Sequence, residues 1–239
     1  MHDQQKKYES AISELVAAAV RLGELGYVSS HGGNLSSRVD AETVLITPTK
    51  VAKRALTFDD IVIIGMDGTT RYAGNSRKPT GETPIHLNIL RQRPDIKGLV
   101  HAHPPVLTGF SLIAEPLLSA PLLPEPIIEL GPLLYVPYAE PLSAELAAAF
   151  DSVIRRSNAF IMRNHGVMIC SPDGPWRALE LLEMVEAMAQ SLFVAKSLGT
   201  VTRIPDHEVD KLSRTIQTRG LPMPGAPGVI SKLSDAYPY

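Results

Sequence analysis

The sequence predicts a mixed α/β fold: one large domain with helices packed on a sheet whose strands are partly joined by hairpins. Three observations carry this reading. Short apolar runs of strand length alternate with longer segments whose apolar residues recur at helical spacing. The run Ile61–Gly65 is followed by an Asp67-Gly68 turn signal, and a later strand pair is interrupted only by Asn164-His165-Gly166. Such connections fit a mixed sheet better than a purely parallel one. With 239 residues and 44% hydrophobic content, the chain can bury a substantial core.

The elements follow in order. Ile12, Leu15, Val16, Ala19, Leu22 and Leu25 predict a helix over Tyr8 to Leu25, stopped by Gly26. Ser29 to Arg38, SSHGGNLSSR, reads as a polar glycine loop. TVLIT (43–47) is a strand leading into the turn TPTK, and the hairpin around Asp67-Gly68 follows. Thr80 to Gln92 reads as a helix with Thr80 as N-cap and Pro94 closing it. GLVHAH (98–103) is a strand and VLTGFSLI (106–113) a short helix. Glu115 to Pro141, rich in proline and leucine, is expected to wrap over the surface or against a neighbour. Tyr135 and Tyr138 are expected at a strand edge. LSAELAAAF (142–150) is a short helix, AFIMRNHGVMIC (159–170) a strand pair, and Trp176 to Leu198 the longest helix. The Pro/Gly-rich tail, 219–239, is expected to be irregular and mobile, leaving 1–218 as the main domain.

Composition narrows the function. A formal net charge of -2 leaves no electrostatic footprint for nucleic acid or an anionic membrane. No apolar run reaches the length needed to span a bilayer. The polar start MHDQQKKYES lacks the apolar core of a signal peptide, and Cys170 is the only cysteine, which favours a reducing compartment. A cytoplasmic protein acting on a small molecule is expected, with no nucleic-acid or membrane partner.

The chemistry gathers at VHAHPP (Val100 to Pro105). Side chains two apart on a strand share a face, so His101 and His103 converge. Imidazoles so placed are natural ligands for zinc, iron, nickel and similar ions. His165, after a second apolar run, is the third candidate, giving a three-histidine site with positions open for substrate. Glu82, at a helix start, is a carboxylate suited to moving protons near such an ion. His86 shares its helix face and reads as a supporting or packing residue. His31 and Arg163 are read equally as substrate contacts and as solvated polar residues, and Cys170 as a buried small hydrophobe.

Five motifs in order, GGN (32–34), TPTK (47–50), PTGETPIH (79–86), VHAHPP (100–105) and RNHG (163–166), resemble the class II aldolase/adducin family. The resemblance runs from about Ser10 to Leu198. It implies a three-layer α/β/α fold with a mainly antiparallel central sheet, assembled as a C4 homotetramer with sites at subunit boundaries. It implies one divalent ion per subunit on His101, His103 and His165. Zinc is the first choice, and iron, manganese, cobalt or nickel are also accepted. Glu82 matches the family's acid/base, and Gly33 and Asn34 the loop that holds the substrate's polar end.

Departures bear on the reaction. Phosphate-using aldolases of the family typically read Thr-Gly and Ser-Ser where this chain has Thr49-Lys50 and Thr80-Gly81. Gly81 removes a hydroxyl, and Lys50 could instead bind phosphate or carboxylate as a point charge. These changes argue against a sugar phosphate. The family's acid tyrosine, about twenty residues beyond the histidine pair, is absent from LLSAPLLPEP, where Glu125 is the only ionisable group and the candidate substitute. The expected activity is a divalent-metal-dependent carbon–carbon lyase, an aldolase or decarboxylase. It would act on a small hydroxy-carbonyl or keto-acid substrate through a metal-stabilised enediolate. The alternative is a non-haem ferrous dioxygenase of the same fold acting on a small oxime or keto acid, such as pyruvic oxime.

Overall fold

The computed structural model describes residues 3–238. Helices α1 (Asp3–Lys7) and α2 (Glu9–Glu24) precede strands β1 (Asn34–Arg38), β2 (Thr43–Ile46), β3 (Val62–Gly65) and β4 (Thr70–Ala73). Next come α3 (Thr83–Gln92), β5 (Gly98–Ala102), α4 (Pro105–Ser111), α5 (Pro124–Glu129), β6 (Leu133–Val136) and α6 (Ala144–Ala149). The chain continues through β7 (Ala159–Met162), β8 (Gly166–Ser171), α7 (Pro175–Leu198), α8 (Asp206–Thr218) and α9 (Leu233–Ala236). One eight-stranded sheet runs in the order β4-β3-β2-β1-β5-β8-β7-β6. Among the described strands only β6 and β7 pair in parallel. This is the mixed, mainly antiparallel sheet that the hairpin signals predict.

Strand alternation divides the core into two layers. Leu45, Ile63, Val100, Ile161 and Ile169 pack on one side against α2 and α7. Val44, Ile46, Ile64, Leu99, Phe160 and Met168 pack on the other against α3 and α6. The three-layer α/β/α arrangement is therefore present. No helix among the described residues is long and apolar enough to cross a membrane.

Several expectations are corrected. NLSSR is not loop but the central strand β1, paired with β2 and β5. Its serines are buried, and polar groups can occupy a buried strand when they find partners, as Ser36 does with His86 at 2.7 Å. Helix α3 begins at Thr83 rather than Thr80, with Glu82 at the N-cap position. Thr80 closes the preceding turn instead: its hydroxyl accepts from the Glu82 amide at 3.3 Å, and its carbonyl from the Thr83 hydroxyl at 2.6 Å. Pro84 sits in the first turn, where its missing N–H costs nothing.

The segment 115–141 does more than wrap the surface. It supplies α5 and the edge strand β6, flanked by Pro132 and Pro137, which an edge tolerates. Tyr135 lies on that edge as expected, while Tyr138 falls beyond it. The segment 219–238 is irregular apart from α9, yet it is packed: Leu233, Ala236 and Tyr237 are buried with Ile127 of α5 and Val209 and Ile216 of α8.

Arg93, just past α3, ties these parts together. Its guanidinium donates to both Asp95 oxygens at 2.9 and 2.7 Å and to Asn158 Oδ1 at 2.8 Å. It also donates to the carbonyls of Ile154, Ser157 and Gly225 at 2.9, 3.0 and 2.9 Å. The loop after α6 and the C-terminal segment are thus held by one buried cation.

Candidate metal centre

The register of the sheet builds the site. Asn34 of β1 stands opposite His101 of β5, and Ala102 opposite Val167 of β8. His103 extends past the end of β5, held by its amide donating to the Tyr27 carbonyl at 2.9 Å. His165 lies in the β7–β8 turn, where Asn164 takes the left-handed conformation (φ 54°) that asparagine accepts readily. The three imidazoles each bring one nitrogen within 4.8 Å of the others. His101 and His103 lie 4.7 Å apart between ring centroids, and His101 and His165 4.9 Å.

Tautomers can be read from the partners. His101 Nδ1 sits 2.8 Å from the Val167 carbonyl, so Nδ1–H donates and Nε2 is the nitrogen turned inward. That nitrogen lies 3.1 Å from His103 Nε2 and 3.2 Å from Glu82 Oε2. Glu82 Oε1 is 3.5 Å from His165 Nε2, and His165 Nδ1 is buried without a hydrogen-bond partner. Burial, reinforced by the neighbouring imidazoles, lowers His103 to about 3 and His165 to about 4, keeping both in the neutral form that ligates. Imidazole lone pairs and a carboxylate converging at this spacing fit a borderline divalent cation.

Glu82 is almost fully buried. Burial by itself raises its pKa, but His101, the Asn34 hydrogen bond, His165 and His86 outweigh that and hold it at about 2. Asn34 Nδ2 donates to Glu82 Oε2 at 2.6 Å, Asn34 Oδ1 meets His86 Nε2 at 2.5 Å, and Ser36 Oγ meets His86 Nδ1 at 2.7 Å.

The family model described as the Class II Aldolase and Adducin N-terminal domain matches residues 13–193. The chain belongs to this family. Among relatives of this class II aldolase-type chain is a 5-deoxy-D-ribulose 1-phosphate aldolase of Bacillus thuringiensis serovar kurstaki. It is 30% identical over 87% of the chain and 95% of that protein. A 3-oxo-tetronate 4-phosphate decarboxylase of Haemophilus influenzae is 31% identical over 63% of the chain and 71% of its own length. The solved structure of YgbL from Escherichia coli superposes with a TM-score of 0.77 at 26% identity, covering 85% of this chain and 97% of that one.

Other predicted residues fall in two groups. Gly33 borders the cluster: at φ 66°, a Cβ there would stand 2.8 Å from the His101 carbonyl oxygen, so only glycine fits. Thr49 and Thr80 lie on loops that are zipped together, with the Thr49 amide donating to the Lys78 carbonyl at 3.0 Å and the Thr80 amide to the Thr47 carbonyl at 3.1 Å. Lys50 and Gly81 are exposed on these same loops. Glu125 is exposed in the first turn of α5 and forms no hydrogen bond or ion pair with the cluster among the described residues.

Two contributors carry no sequence signal of their own. Ser36 appears polar and unremarked in what reads as a loop. Glu186 is buried in α7 and accepts from the amides of Val106 and Leu107 at 3.0 and 2.9 Å, anchoring the start of α4 next to His103. Gly166 belongs to the RNHG motif, but its close packing is seen only in the structure. A Cβ on it would overlap His103 Cδ2 and lie 2.5 Å from the Ala102 carbonyl oxygen. Gly166→Ala is therefore expected to displace His103 and weaken zinc binding by about 10–100-fold. Competition with a chromogenic chelator measures this, and wild-type affinity in a folded variant would refute the close fit.

Proposed function

We propose that the chain is a divalent-metal-dependent carbon–carbon lyase, an aldolase or decarboxylase, acting on a small hydroxy-carbonyl or keto-acid substrate. The observation that carries this is a buried carboxylate, Glu82, set against three converging imidazoles. His101, His103 and His165 would hold the ion. When bound, it supplies Lewis-acid polarisation of the substrate's oxygens. Glu82 would take up and return the proton, since it lies within reach of a ligand on the cluster. The relatives named above are called an aldolase and a decarboxylase, which supports a lyase over redox chemistry.

Gly33, Asn34, Thr49, Lys50, Thr80 and Gly81 are the proposed substrate-side group. The zipping of the 47–50 and 79–81 loops supports placing them along one rim. Lys50 would meet an anionic end of the substrate as a point charge. Those relatives' names specify phosphorylated compounds, so a phosphate ester belongs among the candidates beside carboxylates. Glu125, exposed on α5, could serve as the second acid only from a neighbouring subunit, as assembly into a tetramer with shared sites would allow.

The test is turnover of a panel (phosphorylated ketoses, hydroxy-keto acids and pyruvic oxime) by protein reconstituted separately with zinc, manganese, cobalt, nickel and ferrous iron. Oxygen-independent cleavage of a hydroxy-carbonyl or keto-acid compound is expected. Turnover that requires both iron and oxygen would replace the lyase with a dioxygenase.

A further inference from the structure

The hydrogen positions in the polar chain behind Glu82 follow from how the Asn34 amide is turned. Asn34 turns its NH2 group to Glu82, with Nδ2 donating to Oε2 at 2.6 Å. Asn34 Oδ1 then faces His86 Nε2 at 2.5 Å, which requires a hydrogen on that nitrogen. With Nε2 protonated in a neutral ring, Nδ1 is bare and accepts the Ser36 hydroxyl at 2.7 Å. His86 is wholly buried, and burial lowers its pKa to about 3, so the neutral ring persists across the working range. Reversing the His86 tautomer alone would set a bare Nε2 against Asn34 Oδ1, and reversing the Asn34 amide alone would set its NH2 against the Nε2 hydrogen, both in a buried place.

The parts come from distant elements. Ser36 and Asn34 share one face of β1, with Leu35 between them facing the opposite core layer. His86 lies one turn into α3, and Glu82 immediately precedes that helix. The consequence concerns the carboxylate's two oxygens. Oε2 is occupied by Asn34 and points towards His101, while Oε1 accepts no hydrogen bond among the described residues and lies nearest His165.

We propose that Ser36, His86 and Asn34 are positioning residues: they lock the Glu82 carboxylate so that Oε1, and not Oε2, is the oxygen offered to substrate. This rests on the reading of Glu82 as the proton carrier. It also changes the part played by Asn34, whose amide is engaged at both ends by protein, so its main work is to orient Glu82.

Neutron diffraction from the zinc-loaded full chain tests the lock without any substrate. Deuterium on His86 Nε2 and not on Nδ1, with the Asn34 ND2 group turned to Glu82, is expected. Deuterium on His86 Nδ1, or the Asn34 oxygen turned to Glu82, would overturn it. The second arm compares His86→Leu with His86→Gln, since a glutamine nitrogen can replace the Nε2–H donor. His86→Leu is expected to lose about 10–100-fold in kcat with KM and zinc content unchanged, and His86→Gln to recover most of the rate. Equal rates in His86→Leu and wild type would overturn the proposal, as would equal damage in two folded, zinc-loaded variants. If no panel compound turns over, the lyase reading fails, and the diffraction result decides the lock on its own.

Discussion

Replacing Glu82 by glutamine is expected to lower turnover by about 100–10,000-fold while the protein still takes up one ion per chain, the scale of a lost general acid/base. The substitution is close to isosteric. An amide oxygen can still accept from Asn34 Nδ2, which lies 2.6 Å from the present carboxylate, so the local packing has no reason to collapse. The lost property is proton affinity at the free oxygen. Glu82 is held ionised despite burial because His101, Asn34 and His165 stabilise its charge, and a neutral amide cannot take a proton from substrate. Metal content by elemental analysis and steady-state rates separate the effects. Full metal with undiminished turnover would remove Glu82 from the mechanism, and loss of metal with loss of activity would make it part of the ion's binding site instead.

Arg93→Met is expected to produce the largest loss of stability, about 3–5 kcal/mol, because it removes a buried guanidinium and leaves its buried acceptors, and the partly buried Asp95, unpaired. For a chain of this size that corresponds to a fall in Tm of about 6–20 °C. The guanidinium joins Asp95, Asn158 and the carbonyls of Ile154, Ser157 and Gly225. Methionine fills much of the volume but satisfies none of these acceptors. Arg93→Lys is expected to recover little, since an ammonium cannot present a planar fork to Asp95 and three carbonyls together. Differential scanning calorimetry measures the loss. Hydrogen exchange should show the segment around Gly225 opening first, and a Tm within 2 °C of wild type, or about one kcal/mol, would deny the residue this role.

Much of the site was legible because its signals are local. His101 and His103 are two apart on a strand, so their shared direction follows from backbone geometry, and β5 delivers it. His165 was legible through Asn-His-Gly between two apolar runs, which form the β7–β8 hairpin. Helix α7 was legible from the stripe Leu179, Leu182, Val185, Met188, Leu192 and Ala195, of which the first five are buried and Ala195, near the helix end, is exposed. By contrast, β1 shows a single apolar residue, Leu35, among polar neighbours and carries no strand period. β6 was legible only as an edge at Tyr135, its extent obscured by the flanking prolines. Helix α8 has Val209, Leu212 and Ile216 as its apolar face, too sparse to stand out before α5 and α9 are packed against it.

The sequence by itself determined the alternation of helices and strands, the histidine set and Glu82, because each depends on residues close together along the chain. Only the tertiary structure decided what holds them. Register placed Asn34 opposite His101, the α3 layer brought His86 onto Ser36, and α7 brought Glu186 to the start of α4. Arg93 reaches Gly225, 132 positions away. The physical reason is the same in each case. A buried polar group must find a partner, and that partner is chosen by which surfaces the sheet and helices bring together, not by the residue's neighbours in sequence.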